Sequence, residues 1–343
     1  MDFTTYQKRF TEKATRQKMS DSDIADCLEY ANVLFKNNVV TVYNTSHLSK
    51  LVGIRKAYIK RASIYTKSYY RSFEIAKRNG NPRTISEPLP NLKVIQDFIL
   101  EEILNKVTVS AFAKAYKKNS SIKENVRYHV DQKIVLSLDI QDFFSSVSIE
   151  MVEKVFLDLG YSELLSDLFS KLCTLNKCLP QGASTSPYIS NIILKGFDKK
   201  IADYCLDQNI RYTRYADDIT LSGDFDTGTA ITLIEDELLK LNLSINRNKT
   251  KVMTRNMRQV VTGIVVNEKI QVSGKERNKL RQNIFYLKKF GLLDYIEHEK
   301  IKFNNYLYHL YGKLSYIVYI NPKDQEFIDY KIYVKDLIKK HYY

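Results

Sequence analysis

The chain is poor in the features that mark several large classes of protein. No run of about 18 apolar residues occurs in its 343 residues, which excludes a spanning helix. The first ten residues, MDFTTYQKRF, are polar, so no secretory leader is expected. Cysteine is scarce. Cys27, Cys173, Cys178 and Cys205 lack the paired spacing of a zinc site and are too few to staple a fold of this size, which suits a reducing cytoplasm. Internal repeats and low-complexity tracts are absent. Acid is in deficit: 39 Asp and Glu face 53 Lys and Arg, leaving a net charge of +14. Such an excess favours a polyanionic partner, either nucleic acid or an anionic membrane surface.

What is present sharpens that choice. The basic residues cluster. Residues 50–83 hold Lys50, Arg55, Lys56, Lys60, Arg61, Lys67, Arg71, Lys77, Arg78 and Arg83 against the single acid Glu74, and residues 246–258 and 275–290 are similarly rich. Tyr58, Tyr65, Tyr69, Tyr70 and Tyr286 are interleaved. Lysine and arginine neutralise phosphates while aromatic rings stack on bases, so the pattern fits nucleic acid, although solvated faces over core tyrosines would look alike.

Hydrophobic spacing predicts an N-terminal helix capped at Ser22 or Asp23, a short helix ending at Gly53, and a basic helix near 55–63. A hairpin is expected from Tyr70 through the turn cluster Asn79-Gly80-Asn81-Pro82 to Ile85, followed by a helix over 91–106. Residues 133–140 read as a β-rich apolar run ending near Asp139, residues 186–202 as one helix, and 211–222 as two short strands flanking Ala216-Asp217-Asp218. The last 69 residues read as helices. Strands and helices mix without a regular βαβ repeat, so the class is α+β.

Adjacent acids in a tight turn between apolar strands repel one another, and the nearby core disfavours their ionisation. A surface hairpin would tolerate them. A divalent cation would relieve them, and a third carboxylate on a neighbouring strand, such as Asp139, would let the set hold two Mg²⁺ ions for phosphoryl transfer.

The order and content of four segments resemble a reverse transcriptase: Leu138-Asp139-Ile140-Gln141-Asp142-Phe143-Phe144, Leu179-Pro180-Gln181-Gly182-Ala183-Ser184-Thr185-Ser186-Pro187, Tyr215-Ala216-Asp217-Asp218, and Asn246-Arg247-Asn248-Lys249-Thr250. More closely, Val261-Thr262-Gly263, Asn125-Val126-Arg127-Tyr128-His129 (Val126 where alanine is usual) and the segment 310–317 resemble a bacterial retron reverse transcriptase. The resemblance covers roughly residues 45–320. It implies a right-hand polymerase with an N-terminal helical extension over 1–62, fingers and palm over 63–274, and a helical thumb over 275–343.

The resemblance also implies roles. Asp139, Asp217 and Asp218 would be catalytic metal ligands, with Ile140 counted in the metal set. Lys77, Arg83, Asp142, Phe143, Phe144, Gln181 and Lys249 would surround the incoming nucleotide, Phe144 as a ring that excludes a ribose 2′-OH. Val261, Thr262, Gly263, Lys275, Arg277, Lys279 and Arg281 would contact RNA, the basic helix presenting its charges to solvent. His129 is expected to be a hydrogen-bonded structural residue. The implied partners are a cognate structured non-coding RNA, its DNA copy, deoxynucleoside triphosphates, two Mg²⁺ ions, an effector protein in anti-phage defence, and a host RNase H, in a bacterial cytoplasm and without a membrane. A group II intron-like or other bacterial reverse transcriptase, and a non-catalytic RNA-binding scaffold, are the alternatives.

Overall fold

A computed structural model describes residues 2–76, 80, 82–300 and 305–342. The chain opens with α1 (Phe3–Arg16) and α2 (Asp21–Lys36). Side-chain oxygens satisfy their free first-turn N–H groups: Asp2 accepts from Thr5, and Ser20 accepts from Asp23. The cap of α2 is therefore Ser20, not Ser22 or Asp23. Next come α3 (Thr45–Val52), closed by Gly53 at φ +69, and α4 (Lys56–Ile64). Strands β1 (Tyr70–Ala76) and β2 (Pro82–Pro88) pair antiparallel from Tyr70↔Pro88 to Ala76↔Pro82. Lys77, Asn79 and Asn81, at the expected turn of this hairpin, lie outside the described residues.

After α5 (Pro90–Glu102) and α6 (Ile122–Arg127) comes β3 (Ile134–Asp139), then α7 (Phe143–Ser146), α8 (Ile149–Asp158) and α9 (Glu163–Cys173). The stretch expected as one helix over 186–202 is two, α10 (Ser186–Ile193) and α11 (Lys195–Asp207), because Leu194 leaves helical geometry at ψ 2. Strands β4 (Arg211–Tyr215) and β5 (Asp218–Gly223), helix α12 (Thr227–Leu239) and β6 (Lys251–Thr254) follow. The remainder is a small sheet of β7 (Val260–Val261), β8 (Ile264–Val265) and β9 (Gln271–Val272), then α13 (Gly274–Phe290), α14 (Leu292–His298), α15 (Tyr306–Ile320) and α16 (Gln325–Tyr342).

The central sheet has the order β4-β5-β3-β6, every neighbour antiparallel. Strand alternation divides its side chains between two faces. Leu136, Leu138, Ile219 and Leu221 enter the main core with Ile189, Phe197 and Ile201 of the helices. That core also takes Leu34, Leu48 and Ile59, so the N-terminal helices are fused to it. Val135 on β3 and Met253 on β6 instead enter a second core with β7–β9 and the C-terminal helices. A sheet bearing two cores leaves its strand ends at Asp139 and Asp218 as the place where polar groups gather.

Candidate active site

Asp139 is the last residue of β3, and the antiparallel register sets it directly opposite Asp218, the first residue of β5. Tyr215 pairs with Asp218 to close the β4–β5 hairpin, so Ala216 and Asp217 form a two-residue turn. Ala216 takes φ +59, as the first residue of such a tight turn must to follow the twist of the strands. The Ile140 N–H donates to the Asp217 carbonyl at 3.0 Å, which ties this turn to the end of β3. The Ile140 side chain is buried, so only its backbone can serve a cation. On the other edge, Asn246 N–H donates to the Asp139 carbonyl at 2.7 Å and Gln141 N–H to the Ser244 carbonyl at 2.8 Å. These bonds bring Lys249 alongside, and its Nζ lies 2.7 Å from Asp139 Oδ1.

The electrostatics are strained. Burial pushes Asp217 above the ordinary carboxylate range, with Asp139 adding repulsion. Burial, then Asp217 and Asp139, push Asp218 up to about 6. The hydrogen bond to Asp139 holds the Lys249 ammonium above its usual value. Lys249 bonds Asp139 directly, while Arg83 and Lys251 act on the neighbouring acids through charge alone. Among the described residues no three His, Cys, Asp or Glu side chains are drawn together as a metal cage. The donor chemistry nonetheless fits a hard divalent cation: carboxylate oxygens whose charge is under-compensated, one of them already carrying an ammonium.

Of the other expected nucleotide contacts, Asp142, Phe143 and Phe144 follow β3 directly. Asp142, in the left-handed region at φ 45, heads α7. Phe143 is buried beneath, while Phe144 is only part-buried, its ring centroid 5.4 Å from that of Phe143. Gln181 belongs to a loop docked on the fingers hairpin, where its carbonyl accepts from Ser86 N–H at 2.7 Å. Gly182 is there because nothing larger fits: at φ +124, an added Cβ would stand 2.6 Å from the Ser86 carbonyl oxygen. Arg83 is exposed on β2 and its charge reaches Asp217. Lys77 lies outside the described residues.

The basic C-terminal helix differs from expectation. Arg277 is turned away from solvent, and Arg281 is only part-exposed, with its charge paired. Arg277 is buried, bonded to Asp324 and stacked over Phe327 at 4.5 Å. Arg281 makes a two-pronged pair with Glu326 at 2.6 and 2.7 Å. Acids at the start of α16 consume both charges in packing the helices together. Lys275 and Lys279 stay exposed on α13. Val261 is fully buried in the second core and cannot touch RNA. Thr262 and Gly263, at φ 46 and 86, form the two-residue β7–β8 turn, and Asn125 Nδ2 donates to Thr262 Oγ1 at 3.5 Å.

Several residues escaped sequence reasoning. Arg214 and Asp198 form a buried ion pair at 2.7 Å, with Tyr212 hydroxyl also donating to Asp198. Arg214 further donates to Asn191 Oδ1 and to the Ala216 carbonyl, both at 3.0 Å, so a buried guanidinium holds the acidic turn from beneath. His129 bridges β4 and β5, bonded to Thr213 Oγ1 and Ser222 Oγ at 2.7 Å each, and burial pushes it down to about 3, so it is neutral. That agrees with a structural role.

A palm sheet carrying acids at adjoining strand ends, with fingers and thumb around it, defines a right-hand polymerase. Residues 75–303 match the family model described as reverse transcriptase (RNA-dependent DNA polymerase). The chain is 31% identical to the Retron Ec86 reverse transcriptase of Escherichia coli over 323 residues, covering 91% of this chain and 96% of that protein. It is 30% identical to the Retron Mx65 reverse transcriptase of Myxococcus xanthus over 80% of this chain and 67% of the other. Against the Retron Ec83 reverse transcriptase of Escherichia coli, identity is 28% over 74% of this chain and 84% of the relative. The chain belongs to the retron reverse transcriptases. RNA-directed DNA polymerase activity, with a cognate RNA template and nucleotide substrates, follows from that membership, and the family is generally divalent-metal dependent. Among the described residues no helix is long and apolar enough to cross a membrane.

Proposed function

We propose that this chain copies part of a cognate structured non-coding RNA into single-stranded DNA, starting from an internal RNA 2′-hydroxyl. The observation that carries the reading is the pairing of Asp139 opposite Asp218 with Asp217 in the adjoining turn. Asp139, Asp217 and Asp218, with the Ile140 backbone, would hold two Mg²⁺ ions. Bound there, the metal supplies activation of the attacking hydroxyl and charge neutralisation on the phosphates. In each cycle the hydroxyl oxygen bonds to the α-phosphorus, the bond to pyrophosphate breaks, and the proton leaves to solvent.

The chain's own residues orient these groups. Lys249 holds the Asp139 carboxylate in place through its 2.7 Å contact. Arg83, with Lys77, clamps the triphosphate, the planar guanidinium matching two phosphate oxygens at once. Backbone around Asp142 and Phe143 underlies the triphosphate, Gln181 contacts the nucleotide, and Phe144 excludes a 2′-OH. Lys275, Lys279 and the Thr262-Gly263 turn grip RNA by shape and phosphate. In this reading residues 1–62 are a helical extension, 63–274 fingers and palm, and 275–343 the thumb. The protein acts in the bacterial cytoplasm with an effector in anti-phage defence, and a host RNase H removes the template.

Purified protein with an RNA template and annealed primer should extend DNA in Mg²⁺. Asp217→Asn should lose several orders of magnitude in rate while filter binding to RNA is largely kept. Undiminished extension by that variant would refute the assignment.

A further inference from the structure

Tyr116 lies outside the four polymerase motifs, in the irregular stretch between α5 and α6, yet it is built onto the acidic turn. Arg214 N–H donates to the Phe112 carbonyl at 2.9 Å and Lys114 N–H donates to the Arg214 carbonyl at 2.7 Å, so Ala113 lies along β4 as a parallel bridge. Asn191 Nδ2 donates to the Ala115 carbonyl at 2.9 Å, and the same amide's oxygen accepts from Arg214. The guanidinium that holds the Ala216 carbonyl is thus bonded into the same frame that fixes residues 112–115.

Tyr116 follows directly. It takes φ +59, a left-handed conformation that bulky residues rarely adopt, directly after the bonded residues 112–115. The residue is 46% exposed. The ring centroid stands 6.4 Å from that of Phe144, with the planes tilted by 46°. Phe144 is therefore supported from beneath by buried Phe143 and from one side by Tyr116. Burial raises the Tyr116 phenol, Asp217 and Tyr215 raise it further, and Arg83 opposes them. Tyr116 accordingly sits within electrostatic reach of both the palm acids and the fingers arginine.

We propose that Tyr116 is a positioning residue for sugar selection, whose ring confines the Phe144 ring to the place where the 2′-OH of a ribonucleoside triphosphate would project. The inference rests on the polymerase reading above and extends it to one further side chain. Phe144 has an open side, and a lone ring there can turn about its side-chain bonds. A second ring packed at a tilt removes that freedom, since tilted aromatic pairs are favoured over loose contact. Deoxynucleotides need only the space that the pair leaves.

The test is single-nucleotide incorporation by the full chain on a primed RNA template in Mg²⁺, comparing a deoxynucleoside triphosphate with its ribo counterpart. For Tyr116→Ala, the ribo-to-deoxy ratio of kcat/KM should rise about three- to tenfold, the size expected from losing one aromatic pair, and deoxynucleotide KM should rise while kcat stays within about twofold. Tyr116→Phe keeps the ring and should match wild type. Should Tyr116→Ala fail to fold by circular dichroism, Tyr116→Leu keeps bulk without a ring and carries the same expectation. Combined with Phe144→Ala, the Tyr116 change should add nothing to the ratio, because the two act as one unit. An unaltered ratio in the ring-free variants, or a multiplied effect in the double variant, would overturn the inference. Asp217→Asn separates the two failures. Retained extension there refutes the polymerase reading, whereas its loss beside an unaltered Tyr116 ratio refutes only the role of Tyr116.

Discussion

Replacing Asp218 by Asn should make the metal-free protein more stable at pH 8 while removing a carboxylate of the proposed metal site. Burial, with Asp217 and Asp139 facing it, pushes Asp218 up to about 6 from the 3.8 of a free aspartate. The folded state therefore keeps this proton to higher pH than the unfolded chain. Stability from the group is fully present below about pH 4 and is lost as pH rises through about 6. At about 1.4 kcal/mol per pH unit, a shift of roughly two units makes the deficit about 3 kcal/mol at pH 8 as an upper bound, and about half of that at pH 5. Asn keeps the shape and does not titrate. Thermal unfolding in EDTA at both pH values should show the variant ahead of wild type by several degrees at pH 8 and by less at pH 5. Added Mg²⁺ should stabilise wild type more than the variant and narrow the gap, since a cation binding only the folded site shifts the equilibrium by mass action. A variant no more stable than wild type at pH 8, or a gap indifferent to pH, would refute the claim that this site stores carboxylate repulsion.

Four further outcomes follow from the surrounding geometry. Arg214→Ala strands Asp198 in the core and should cost about 3–5 kcal/mol by chemical denaturation, with Arg214→Lys recovering only part because a single ammonium cannot reproduce the two-pronged contact. Gly182→Ala would push a methyl group into the Ser86 carbonyl, so loss of the fingers–palm contact should appear as a raised nucleotide KM and a lowered melting temperature. Replacing Lys275 and Lys279 together by Ala should weaken RNA binding and reduce the slope of log affinity against log salt by about one to two, measured by filter binding at several salt concentrations. Arg281→Ala should instead show its effect chiefly in stability, through Glu326.

The local chemistry of the site was legible in the sequence. Alternation and turn residues disclosed the β1–β2 and β4–β5 hairpins, and the acids of Tyr215-Ala216-Asp217-Asp218 stood out because two adjacent charges between apolar strands need a compensating partner. The partner acid was legible as the end of an apolar run, but not as the residue facing Asp218. That Asp139 stands opposite Asp218 is a matter of register between strands nearly eighty positions apart, which periodicity along one strand cannot supply. The basic helix α13 shows the same limit. Its sequence reports charge every few residues, but Asp324 and Glu326 approach from α16 and convert Arg277 and Arg281 from surface cations into packing contacts. Likewise Arg214 reads as an ordinary basic residue until Asp198, Asn191 and the Ala216 carbonyl close around it. Composition and spacing determine which face of an element is apolar and where a turn falls. Which distant group meets a given side chain, and hence whether a charge is spent inside or left for a ligand, is decided only when the strands and helices pack.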